Sequence, residues 1–166
     1  MKRRAHTAVL IATLMVAGHG AYSAAEAAQI TLRPQGGSAG DIVAVELGEI
    51  VDMEVAIDAS GEDVTGFAIF LSFDTEVFRA LQGAPGDGQV EPFRSAGLLD
   101  GIVLLNRVEE LEGETILSYT EAAGVQRTMG SVEGVVARFS LEVLRRPFGD
   151  LSVIAVVERG HDHTSH

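Results

Sequence analysis

Between residues 64 and 78 the chain reads VTGFAIFLSFDTEVF, and its apolar positions recur every second residue. Phe67, Ile69, Leu71 and Phe73 share one face while Gly66, Ala68, Phe70 and Ser72 share the other, the alternation of a strand that is central to its sheet. Asp74 ends the run, and residues 75–78 read as a tight turn into the next strand. The same period recurs on both sides. Ile30 and Leu32 alternate with Gln29, Thr31 and Arg33 until Pro34 and a glycine-rich stretch break the pattern. Val43, Val45 and Leu47 alternate with Ala44 and Glu46, and past a bend at Gly48 the residues Val51, Met53, Val55 and Ile57 alternate with Asp52, Glu54 and Ala56.

After the central strand comes a surface loop dense in glycine and proline. Residues 91–99 are too short and too poorly capped for a helix. Residues 102–108 and 115–121 predict a hairpin turning at Gly113. Further on, Val135, Ala137, Phe139, Leu141 and Val143 face one way, and Val136, Arg138, Ser140 and Glu142 the other; residues 151–157 make the last strand. Eight or nine short strands with turn signals between them predict an all-β, antiparallel two-sheet β-sandwich.

The N-terminus follows a different rule. Lys2, Arg3 and Arg4 precede an apolar stretch at 8–17 and then small residues through Ala28, the layout of a secretory signal peptide. Cleavage after Ala25, Ala27 or Ala28 satisfies the small-residue rule and puts the mature start near Gln29. The apolar stretch is shorter than the roughly 20 residues of a spanning helix, and no later segment is apolar enough to span a membrane. The expected division is a signal over 1–28, one sandwich domain over 29–158 and a polar tail over 159–166. The chain has no cysteine, so a secreted domain of this size relies on packing alone.

The formal charge is −12, and without residues 1–28 it becomes −14, nine arginines against 23 carboxylates with no lysine. Nucleic acid and anionic membranes are poor partners for such a surface. Catalytic constellations are scarce. Past the leader, histidine occurs only at His161, His163 and His166, so the sandwich has no imidazole to serve as general base, no thiol and no phosphate-cradling loop. An enzyme is not expected. Glu109, Glu110, Glu112 and Glu114 crowd the Gly113 turn and read as solvated charge rather than a calcium site. His161, Asp162, His163 and His166 read as a mobile polar end rather than a metal site, and no cofactor is expected in the chain.

The run Gly66-Phe67-x-Ile69-x-Leu71-Ser72-Phe73-Asp74 resembles the third strand of cohesins, the bacterial β-sandwich modules that capture dockerins. The stretch Val51-x-Met53-x-Val55-x-Ile57 after a Gly-centred bend resembles the start of that module, with Gly48-Glu49 where Gly-Asp is usual. Gly134-Val135-x-Ala137-x-Phe139-x-Leu141-x-Val143 resembles its eighth strand. Ala68 stands where many cohesins carry an acidic residue, and Thr75 replaces a common proline. The resemblance implies a jelly-roll sandwich, secreted or at the cell surface of a bacterium, that binds a dockerin-bearing protein in an assembly degrading polysaccharide, with calcium carried by the partner. It implies that the third, fifth, sixth and eighth strands form the receiving sheet, which makes Phe70, Ser72, Ile116, Ser118, Val136, Arg138 and Ser140 the interface candidates. The other two readings are a module that binds polysaccharide directly and a structural or adhesive domain pairing through a sheet edge. Sugar-stacking modules rely on flat aromatic platforms, yet past the leader the chain has no Trp and one Tyr, Tyr119, which the register turns inward.

Overall fold

The computed structural model of the chain describes residues 7–11, 14–15, 29–59, 64–84, 88–111, 113–123, 132–147 and 151–157. Among these residues there is no helix, and hence none long and apolar enough to cross a membrane. The strands are β1 (Thr7–Ile11), β2 (Leu14–Met15), β3 (Gln29–Pro34), β4 (Ile42–Val45), β5 (Ile50–Asp58), β6 (Gly66–Ser72), β7 (Phe78–Ala80), β8 (Arg94–Ser95), β9 (Ile102–Leu111), β10 (Glu114–Ala122), β11 (Glu133–Val143) and β12 (Leu151–Val156). Nine of them match the alternating runs. The others are β8 and the two strands β1 and β2, which fall in the stretch read as a leader. The tail histidines and the polar connection over 124–131 lie outside the described residues.

Two sheets result. The first runs β4-β1-β12-β6-β10-β9 and the second β2-β3-β5-β11-β7, with β8 pairing onto β11. All pairings are antiparallel except β1 with β12. The inner faces carry the predicted residues. Ile69, Leu71, Leu117 and Tyr119 from the first sheet meet Met53, Val55, Phe139 and Leu141 from the second, none more than 3 % exposed. Each fully buried Leu or Phe stabilises the fold by about 1.5–3 kcal/mol relative to exposure, so this continuous cluster is the main reason the sheets stay together.

The interior also contains polar devices. Phe93 lies between the sheets, its ring 5.0 Å from both Tyr119 and Phe139. The side chain of Asn106 on β9 serves it as a substitute strand: Phe93 N–H donates to Oδ1 at 3.0 Å, and Nδ2 donates to the Phe93 carbonyl at 2.8 Å. Nearby, the Tyr119 hydroxyl donates to Glu121 Oε2 at 2.6 Å and the Ser95 hydroxyl to Oε1 at 3.2 Å, so a carboxylate only 1 % exposed is hydrogen-bonded through both oxygens. Gly101 must lack a side chain, since a Cβ there would stand 2.1 Å from the Ala122 carbonyl oxygen.

Candidate binding face

On the first sheet the outward side chains are set by register. Ser72, Ile116 and Glu109 stand in one row across β6, β10 and β9; Phe70, Ser118 and Arg107 form the next; Ala68, Thr120 and Leu105 the third. Ala155 of β12 continues the first row beyond Ser72. Ser118 Oγ donates to Glu109 Oε1, and Arg107 holds the other oxygen of that carboxylate, Nη2 to Oε2 at 2.6 Å. This chain of contacts fixes a cation and an anion on the outside of the sheet in one geometry. Apolar groups elsewhere on this sheet are open to solvent: Val153 on β12 is 40 % exposed and Ile102 on β9 62 %, with Phe70 on β6 half-buried. At one end the face sinks into a shallow depression of about 440 Å³ lined by Ser72, Asp74, Thr75, Glu114, Thr115 and Val153 among others.

The seven residues proposed from the sequence do not form one surface. Phe70, Ser72, Ile116 and Ser118 share the outer side of the first sheet as expected. Two of these are covered, however, with Ile116 2 % and Ser118 0 % exposed. Val136, Arg138 and Ser140 belong to β11, which pairs with β5 in the second sheet. The strand beside β6 is β12. Strand β11 therefore does not occupy the place in the receiving sheet that its pattern suggested, and its polar residues face away from Phe70 on the other side of the sandwich.

Val136 departs further. A bulge shifts the register between Val135 and Ala137, so Val135 stands opposite Ala56 while Val136 is the extra residue. Val136 is 1 % exposed and joins the core; Val135, expected inside, is half-buried. Arg138 is exposed and Ser140 half-buried, and both are engaged. Arg33, Glu54 and Arg138 stand in one row, and Glu54, 6 % exposed, accepts from Arg138 Nε at 3.1 Å and from Arg33 Nε at 3.3 Å. Ser140 Oγ donates to Asp52 Oδ1 at 2.6 Å. The cleft beside them, about 510 Å³ between β5, β11 and the 81–94 loop, includes in its lining Asp52, Arg138 and Ser140, which are already paired in this way.

Sequence reasoning missed Arg107, Glu109 and Val153 on the first face. Arg107 and Glu109 are two apart on one strand, and that spacing alone puts their side chains on the same side. Two of the hairpin's acidic residues are engaged: Glu109 as above, and Glu110, which accepts from Thr115 Oγ1 at 2.5 Å, while Glu112 lies outside the described residues. No group of three or more metal-ligating side chains occurs among the described residues.

No protein-family model matches the chain, and no curated protein matches it. Solved structures do. A type II cohesin domain from the cellulosome of Acetivibrio cellulolyticus aligns over 74 % of this chain and 73 % of its own length, with a TM-score of 0.53 and 16 % identity. The chain has the cohesin fold. A type I cohesin in complex with a dockerin from Clostridium thermocellum also aligns, over 68 % of this chain and 72 % of its own, with a TM-score of 0.43 and 15 % identity. The strand runs read from the sequence thus assemble into a cohesin-fold sandwich, with β11 in the sheet opposite β6.

Proposed function

We propose that this chain is a secreted, non-catalytic binding module that receives a dockerin-bearing protein on the outer face of the first sheet. The observation that carries the reading is that face: half-buried Phe70 and exposed Val153 and Ile102, with an ordered Arg107–Glu109 pair on the same sheet, on a cohesin-fold scaffold. Apolar anchors beside one fixed ion pair suit a protein partner, the apolar groups supplying affinity and the charges orientation. Tyr119 offers no flat sugar platform, since it is 0 % exposed and is enclosed by Phe67 and Phe93. In this reading the partner brings its own calcium, and the complex assembles outside a bacterial cell as part of polysaccharide breakdown.

The test is capture of secreted proteins from the source culture on the immobilised chain, with calcium and then with chelator, beside an insoluble-polysaccharide pull-down. The expected result is a chelator-released protein, with capture weakened by Phe70→Ala and by Arg107→Glu. Retention on polysaccharide without any captured protein would replace this reading with direct sugar binding.

A further inference from the structure

Strand β1 has an unusual position. It lies between β4 and β12, with Val9 opposite Val43 on one side and Ser152 on the other, and Leu10 opposite Ile42 and Val153. Strand β4 pairs with no other strand in this sheet. Strand β12 reaches β6 only through Ala155 and Val156, so its first four residues, Leu151 to Ile154, have β1 as their strand partner. Yet Val45 on β4 and Ile154 on β12 are core residues, 1 % and 0 % exposed. Thr7–Ile11 therefore closes this corner of the sandwich while lying within the stretch that reads as a cleavable leader.

Cutting near Gln29 would remove that strand. Neighbouring strands lie about 4.8 Å apart, so the edges of β4 and β12 would then flank a gap about 10 Å wide with both rows of backbone groups unpaired. Strand β4 would remain anchored beyond its end, where Gly48 N–H donates to the Val143 carbonyl at 2.8 Å and Val143 N–H to the Glu49 carbonyl at 2.9 Å. The occupant seen here, TAVLI, is uncharged, and Ile42, Val43, Val153 and Ile154 beside it are apolar. Within residues 29–166 the stretches left over do not suit the gap: GVQRTMGS and ERGHDHTSH both carry charge and glycine.

We propose that, once the leader is removed, the gap between β4 and β12 is a strand-acceptor site that takes an extended, uncharged, aliphatic segment of a separate polypeptide, running parallel to β12. Backbone hydrogen bonds to two edges at once supply affinity, and the alternating side chains supply selectivity. This site adjoins the dockerin-type face at Val153, and the peptide test below reads it separately from dockerin capture, so the failure of one is distinguishable from the failure of the other.

The full chain, with a protease site placed within residues 20–28, is folded intact, cut, and freed of its leader fragment by dilution or gentle denaturant. A labelled peptide spanning residues 5–12 is the probe, followed by anisotropy. The chain has no cysteine of its own, so a Val43→Cys protein and a peptide carrying Val9→Cys report register by disulfide formation. Saturable binding with that disulfide is the expected result, as is a cut leader that stays seated and cross-links there. A peptide carrying Ile11→Asp should bind at least about tenfold more weakly, because the register puts that position opposite Ile154, which is 0 % exposed, and a charge there enters the core side of the sheet. Three outcomes overturn the proposal: no peptide binding to a cut protein that keeps its strand circular dichroism, unfolding of the cut protein as the leader leaves, or a direct Val43→Cys to Ser152→Cys disulfide showing that β4 and β12 close onto each other.

Discussion

Replacing Tyr119 with Phe removes one oxygen from the centre of the sandwich and leaves almost everything else in place. The ring keeps its neighbours Phe67 and Phe93, at centroid distances of 5.5 and 5.0 Å. What disappears is the hydrogen bond to Glu121 Oε2 at 2.6 Å, made to a carboxylate that water does not reach. A hydrogen bond to a charged acceptor is worth about 1.5–3 kcal/mol, and Glu121 would retain only the longer Ser95 contact at 3.2 Å. Tyr119→Phe should therefore lower stability at neutral pH by about 2 kcal/mol, which moves a urea midpoint down by roughly 1 M. Changing both partners, Tyr119→Phe with Glu121→Met, should recover part of that loss, because no buried acceptor is then left unsatisfied. The pH dependence supplies a second reading. Burial, and then the hydrogen bond and charge of Glu121, raise the Tyr119 pKa well above the usual tyrosine value. The folded protein thus keeps a proton that the unfolded chain releases above pH about 10, so its extra stability is complete below that pH and declines above it, by up to about 1.4 kcal/mol per pH unit. Denaturant titrations from pH 8 to 11 should show the parent losing stability faster than the Phe variant above pH 10. Equal stability at pH 7, or a difference that stays constant to pH 11, would refute the buried pair.

Other substitutions test the remaining parts of the scaffold. Leu71→Ala, at a position 0 % exposed in the middle of β6, should cost about 2–5 kcal/mol in chemical denaturation, and a near-neutral result would mean that the strand faces the other way. Asn106→Ala leaves both backbone groups of the buried Phe93 without their partner and should cost about 1–3 kcal/mol for each, read as a lower melting temperature. Arg138→Glu places a second carboxylate beside Glu54 and should reduce stability while partner capture at saturating concentration is unchanged, whereas Arg107→Glu should reduce capture with little effect on melting.

Strand faces were legible in the sequence and strand neighbours were not. The period of two in residues 66–73 assigns Ile69 and Leu71 to the core because burial on one side is a local property of the strand. Which strand lies beside β6 is a long-range choice, and β11 and β12 present similar alternation; only the pairing of Ala155 with Ser72 decides it. The bulge at Val135–Ala137 is a further limit, since one inserted residue exchanges inside and outside without changing the hydrophobic pattern that Val135 and Val136 share. Burial of Ser118 was invisible for another reason. Its cover is Glu109, a residue from the neighbouring strand whose carboxylate reads as turn charge when the chain is taken alone.

The two outer faces use similar residues to opposite ends. On the second sheet Glu54 is enclosed between two arginines from strands on either side, so three strands are tied across their width and the charges are consumed in doing so. On the first sheet the pair Arg107–Glu109 lies along one strand and is tied to β10 through Ser118, while Val153 and Ile102 on the same sheet remain open to solvent. An arginine held by two carboxylate contacts of its own strand loses little further freedom when a partner arrives, which lowers the entropic cost of docking. The second face, with its carboxylate already doubly held, gains little from a new ligand. The asymmetry favours the first sheet as the receiving face, and capture by the Arg107→Glu and Arg138→Glu variants should separate the two sheets where the fold alone does not.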